Sequence, residues 1–140
     1  MNKKVLVIDD EQDVLDYLTA VLESNGYTVI TAINADDGWH LTTTHKPDLI
    51  CLDIMMPGES GVSFYHRLKK SNKHRQIPVI FVSGMVREED FDAEKIIADL
   101  GLKQPFAYID KPISVDDFID AVARGVAEGK PSVEKRGNNA

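Results

Sequence analysis

The chain has 140 residues, 43% apolar and 28% charged, with 16 basic and 23 acidic side chains and a formal charge of −7. That length suits one domain with its own core, and the composition excludes disorder along the whole chain. No apolar run approaches the roughly 18 residues of a membrane-spanning helix, the acid excess disfavours sequence-independent DNA binding, and neither nucleic acid nor a membrane is an expected partner.

The first apolar run, Val5-Leu6-Val7-Ile8, is too short for a signal-peptide core and reads as a buried strand. Val14, Leu15, Leu18, Val21 and Leu22 then recur at helical spacing, and Asn25-Gly26 is a natural stop. A weaker strand follows at Thr28–Ala32, and Asn34 is placed to cap a helix from Ala35 to about His45, with Asp36 and Asp37 in its first turn. Leu49-Ile50-Cys51-Leu52 is a second continuous apolar run. A helix starting near Ser60 carries Val62, Tyr65 and Leu68 on one face.

Val79-Ile80-Phe81-Val82 is the third such run. A helix is expected over Phe91–Leu100, ended by Gly101, and a weaker strand at Ala107–Ile109. Ser114-Val115-Asp116-Asp117 resembles a capping box and leads into Phe118, Ile119, Val122 and Val126. The order is strand then helix, five times over. The expected fold is therefore α/β: one five-stranded parallel sheet, doubly wound by five helices through right-handed crossovers. Residues 1–128 form the expected domain, and 129–140, with little apolar content, read as a flexible tail or the stub of a linker.

In open parallel sheets, ligands bind beyond the carboxyl ends of the strands. The first strand ends in Asp9-Asp10-Glu11, the third in Asp53, the fourth in Ser83-Gly84, and the fifth runs into Asp110-Lys111-Pro112. Two carboxylates about 5 Å apart repel by roughly 3 kcal/mol at an effective dielectric near 20. Asp9, Asp10 and Asp53 as neighbours would therefore hold protons or a cation, and oxygen-only ligands suit Mg²⁺. Lys111 adds an ammonium and Ser83 a hydroxyl. A carboxylate nucleophile, a divalent cation, a lysine and a hydroxyl suit phosphoryl transfer.

These residues, with Asp48 to Gly58, Pro78 to Gly84 and Tyr108 to Pro112 around them, resemble the receiver domain of two-component response regulators over about residues 3–127. The resemblance implies a flavodoxin-like receiver fold and a phosphorylation-dependent signalling switch rather than an enzyme. It implies Asp53 as phosphoacceptor, and Asp9, Asp10, Asp53 and the backbone carbonyl of Met55 as ligands of Mg²⁺, with Mn²⁺ as a substitute. Ser83 and Lys111 would contact the phosphoryl group, Ser83 and Tyr108 would form the switch, and Lys111-Pro112 would be a cis peptide. The implied partners are a sensor histidine kinase or a histidine phosphotransfer protein, in the cytoplasm. The downstream target and a phosphorylation-dependent homodimer stay open, as does whether the receiver stands alone or is part of a longer chain.

Taken singly, each feature has a plainer meaning. Asp9-Asp10-Glu11 could be acids opening a helix, Asp53 and Ser83-Gly84 turn residues, and Lys111 a solvated surface lysine. Cys51 reads as a core residue; the four histidines read as surface or helix-edge residues; Lys69-Lys70 and Lys73-His74-Arg75 read as a solvated helix end. A Mg²⁺-dependent phosphohydrolase is the runner-up, but such enzymes usually need a second Asp two residues after the nucleophile, where this chain has Met55. A module that is never phosphorylated ranks third, because Asp53 and Lys111 are both present. Two departures from the family stand out. The Ser83-to-Lys111 segment is lengthened, partly by Leu102-Lys103-Gln104-Pro105-Phe106. Met55 and Met85 occupy positions that often tune hydrolysis, and a thioether orients water poorly, so slow self-dephosphorylation is expected.

Overall fold

The structure is a computed structural model and describes residues 2–84 and 92–128. Ten elements alternate along the chain: β1 (Lys4–Ile8), α1 (Gln12–Ser24), β2 (Thr28–Ala32), α2 (Ala35–His45), β3 (Leu49–Leu52), α3 (Gly61–Lys69), β4 (Val79–Val82), α4 (Ala93–Asp99), β5 (Ala107–Ile109) and α5 (Val115–Glu128). The five strands form one parallel sheet in the order β2-β1-β3-β4-β5.

The three continuous apolar runs are the three central strands, where both faces are covered. Alternate residues supply two cores. Leu6, Ile8, Ile50, Leu52, Val79 and Phe81 pack on one side with Phe64, Tyr65, Leu68 and Ile97 from α3 and α4. Val5, Val7, Leu49, Cys51, Ile80 and Val82 pack on the other with Leu15, Leu18 and Leu22 of α1 and Phe118 and Val122 of α5. β2 and β5 are the edges and are only half-buried, which explains their weaker sequence signal. The starts of α2, α3 and α4 follow capping chemistry. Asn34 Oδ1 accepts from the Asp37 amide at 2.7 Å, Ser60 Oγ from Ser63 at 3.1 Å, and Asp92 Oδ1 from Lys95 at 3.1 Å.

Some expectations change. α4 is shorter than anticipated because Asp92 takes the cap position and the helix begins at Ala93; Phe91, Met85 and the tail 129–140 lie outside the described residues. His74 is buried rather than peripheral, with its ring edge-on to Trp39 at 5.7 Å. Burial, with Lys73 and Lys46 nearby, lowers its pKa. Lys69 is not freely solvated either: its ammonium donates to the carbonyls of Arg75 at 2.9 Å and Ile77 at 3.1 Å, tying the end of α3 to the approach to β4. The Leu102-to-Phe106 part of the lengthened segment is packed. The Tyr65 hydroxyl donates to the Lys103 carbonyl at 2.6 Å, Pro105 is buried, and the Phe106 amide donates to the Val79 carbonyl at 2.8 Å.

Candidate functional site

The strand register places the site. Ile8 pairs with Leu52, Leu52 with Phe81, and Val82 with Ile109, so the carboxyl ends of β1, β3, β4 and β5 lie level. The ladder then runs one residue further. The Asp9 amide donates to the Ala32 carbonyl at 3.1 Å, Asp53 to Ile8 at 2.9 Å, and Ser83 to Ile109 at 3.0 Å. Three side chains that follow three strands are therefore fixed by backbone bonds before any side-chain interaction acts.

Asp9, Asp10 and Asp53 each offer an oxygen, and these oxygens lie within 4.8 Å of one another. Asp9 and Asp53 are buried while Asp10 is exposed, so the cluster opens to solvent on one side. Lys111 Nζ donates to Asp9 Oδ2 at 3.1 Å and to Glu11 Oε1 at 3.3 Å. Asp9 Oδ1 also accepts from the Glu11 amide at 2.9 Å. Lys111-Pro112 is cis, as the resemblance implied.

Below the loop that follows β3, the Gly61 amide donates to the Ile54 carbonyl at 2.7 Å. A Cβ on Gly61 would collide with the Asp53 carbonyl oxygen and sit 2.8 Å from Ile54 Cα, so the first residue of α3 has to be glycine for the loop to close on it.

Electrostatics favour a cation here. Burial, then the neighbouring Asp9 carboxylate, push Asp53 up to about 7, against the pull of Lys111 and a hydrogen bond with Ser83. Burial also raises Asp9, opposed by the Glu11 amide and Lys111. Burial alone would lower the Lys111 ammonium, but Asp53 and Asp9 outweigh it and the pKa rises. Among the described residues, three carboxylates face one neighbouring ammonium, which Asp9 shares with Glu11. The donor set, hard oxygens with one open side, fits a small divalent cation that keeps some of its water.

Ser83 is buried against this cluster. Met55 stands exposed at the rim, with 47% of its surface accessible. Tyr108 is half-buried on β5; its ring stacks on Phe81 at 5.7 Å and its hydroxyl donates to Gln104 Oε1 at 2.6 Å. Gln104 Nε2 in turn donates to the Glu94 carbonyl on α4 at 2.9 Å. Two participants were not singled out from sequence. Glu11, the third acid of its run, was within reach of that reading, since a third carboxylate beside a lysine site invites pairing. Gln104 carries no sequence signal, because its role exists only once the lengthened segment has folded.

The sequence profile of the response regulator receiver domain matches residues 5–123. The alkaline phosphatase synthesis transcriptional regulatory protein PhoP of Bacillus subtilis is 33% identical over 139 residues, which are 97% of this chain and 55% of PhoP. The chain thus spans about half the length of that relative. The polar-differentiation response regulator DivK of Brucella anthropi is 34% identical over 122 residues, 87% of this chain and 94% of DivK. Among solved structures, the receiver domain of Francisella response regulator 1452 superposes with a TM-score of 0.76 at 29% identity, covering 92% of this chain and all of that one (100%). A CheY-like receiver domain protein of Methanospirillum hungatei superposes with a TM-score of 0.78 at 24% identity, covering 92% of this chain and 97% of that one, a likeness of fold.

Proposed function

This chain belongs to the response regulator receiver family of two-component systems, and from that premise we propose that Asp53 accepts a phosphoryl group from a phosphohistidine. Receiver domains of this kind take phosphoryl groups from histidine kinases, and the donor here would be a sensor kinase or a histidine phosphotransfer protein in the cytoplasm. Residues 1–128 act as the receiver unit. The observation that carries the reading is the convergence of Asp53, Asp9 and Asp10 within 4.8 Å, with Lys111 Nζ 3.1 Å from Asp9.

In the proposed step an Asp53 carboxylate oxygen attacks phosphorus, the P–N bond to the donor histidine breaks, and the imidazole leaves with the electron pair and takes up a proton. Asp53 must be ionised to attack, and its raised pKa means that the ion-free site holds it partly protonated near neutrality. Asp9, Asp10, Asp53 and the Met55 carbonyl are the residues that would hold Mg²⁺ or Mn²⁺. The bound cation would supply positive charge that ionises Asp53 and offsets charge on the phosphoryl oxygens. Lys111 would exchange its bond to Asp9 or Glu11 for a phosphoryl oxygen, and the Ser83 hydroxyl would donate to another. Movement of Ser83 towards the phosphoryl group would leave room beside Phe81 for Tyr108, and the changed β4–α4–β5 surface would alter affinity for a partner.

A phosphohydrolase reading finds less support. The position two residues past Asp53 is an exposed thioether with no proton to give. Incubation with acetyl phosphate and Mg²⁺, read by intact mass, tests the proposal. One phosphoryl adduct on the parent and none on Asp53→Asn is the expected result. Equal adducts on both, or turnover of many equivalents of a small phosphate ester, would overturn it.

A further inference from the structure

At the far end of the sheet, beneath the amino ends of β4 and β5, lies a cleft of about 720 Å³. Its volume falls in the range of small-molecule sites, about 300–1,000 Å³. Among the described residues, four cations line it, Lys69, Lys70, Arg75 and Lys103, against one carboxylate, Glu128. On a chain of net charge −7 this is a concentrated reversal of sign. Among the described residues, none of the four is ion-paired with a carboxylate.

The four cations are held from different directions. Lys69 is fixed at the end of α3 by the Arg75 and Ile77 carbonyls, and burial and Lys103 lower its pKa to about 8. Lys103 sits on the lengthened segment, whose backbone is fastened by the Tyr65 hydroxyl bond to the Lys103 carbonyl at 2.6 Å. Pro78 and Phe106 give the cleft an apolar wall. The cleft is thus a partly enclosed, pre-formed surplus of positive charge, set between the end of α3, the loop after it and residues 101–106.

We propose that this cleft binds a small polyphosphate, the triphosphate chain of a nucleotide or an inorganic triphosphate, through Lys69, Lys70, Arg75 and Lys103. Arg75 offers a guanidinium fork to two phosphoryl oxygens, and the lysines act as point charges along the chain. A chain with three or four negative charges matches the four unpaired cations, and its compactness matches the volume better than an extended acidic segment of another protein would. No glycine-rich loop is needed, because side chains rather than backbone amides supply the charge. The site is 'opposite' the acidic cluster, and the inference does not depend on Asp53 chemistry.

The test is isothermal titration of the intact chain, in metal-depleted buffer at physiological ionic strength, with sodium triphosphate, ATP and GTP in separate arms. Omitting divalent cations keeps the acidic cluster from contributing. Saturable binding is expected, about tenfold weaker for each contact removed in Arg75→Gln and Lys103→Gln and unchanged in Asp53→Asn and Lys95→Gln. Tighter binding of ATP or GTP than of triphosphate would assign the ligand to nucleotides, and equal binding to the bare chain. Amide NMR shifts on the parent should cluster at residues 69–79 and 101–106. No saturable binding in any arm at millimolar ligand would overturn the proposal. So would shifts centred on Asp9 and Asp53, binding indifferent to both folded cleft variants, or a polyglutamate peptide that outcompetes triphosphate.

Discussion

The two ends of the sheet solve opposite electrostatic problems by different means. At the carboxyl ends, short side chains sit on the residues directly after strands, and backbone bonds of 2.9–3.1 Å fix them. Negative charge is crowded there, and Asp53 is held up to about 7. At the amino ends, long lysine and arginine side chains from α3, its following loop and the lengthened segment crowd positive charge, and Lys69 is held down to about 8. The first end owes its geometry to strand register, the second to how a loop packs. Changes to the first should therefore alter chemistry, and changes to the second should alter local order first.

The largest expected effect is on stability against pH. The folded Asp53 carboxyl keeps its proton to about pH 7, whereas the unfolded one releases it near pH 4. Between these values the folded state binds more protons at this site, so the contribution of Asp53 to stability is fully present below about pH 4 and is lost as pH rises towards 7. At about 1.4 kcal/mol per unit, the ceiling on this loss is about 4 kcal/mol. Asp53→Asn stays neutral, so urea unfolding without divalent cations should show the variant gaining on the parent as pH rises from 4 to 8. Parallel pH profiles would break the electrostatic half of the comparison.

Gly61→Ala forces a methyl group against the Asp53 carbonyl oxygen and Ile54 Cα. It should cost about 3 kcal/mol in urea unfolding and slow phosphorylation as well, since the acceptor loop must move. Unchanged stability would mean the loop is less tightly set than its backbone bonds imply. Lys111→Gln removes the ammonium while keeping a hydrogen-bond donor. The initial rate of phosphorylation by acetyl phosphate should drop on the order of 10²-fold, with Asp53 still the acceptor.

Tyr65→Phe sharpens the contrast from the other side. Loss of the hydroxyl bond to the Lys103 carbonyl should cost about 1 kcal/mol and speed amide hydrogen exchange at residues 101–106, with phosphorylation unaltered. A large fall in phosphorylation would show the two ends to be coupled. The smallest effect is expected of Met55→Asn. An amide at this exposed rim position can orient water where a thioether does not, so decay of the acyl phosphate should quicken a few-fold. An unchanged lifetime would remove Met55 from the account.

The same contrast explains what the sequence could reveal. Val5-Leu6-Val7-Ile8, Leu49-Ile50-Cys51-Leu52 and Val79-Ile80-Phe81-Val82 are buried on both faces, so their runs announced the central strands and, with them, where Asp9, Asp53 and Ser83 must emerge. Asn34, Ser60 and Ser114 announced helix starts because capping is local chemistry. What stayed hidden depends on contacts that neither hydrophobic periodicity nor capping chemistry describes. Lys111 meets Glu11 across 100 positions. His74 is buried because Trp39 of α2 reaches it. Lys69 is drawn in by carbonyls six and eight residues ahead. Gln104 finds Tyr108 only through a segment whose path no periodicity describes.

Chemical trapping of the phosphorylated residue tests the central claim most directly. The chain is phosphorylated with acetyl phosphate and Mg²⁺, reduced with borohydride, which converts an aspartyl phosphate to homoserine, and digested for peptide mass spectrometry. The account predicts homoserine at position 53 alone. Homoserine at position 9 or 10, or a phosphoryl group on a histidine or serine with Asp53 intact, would contradict it.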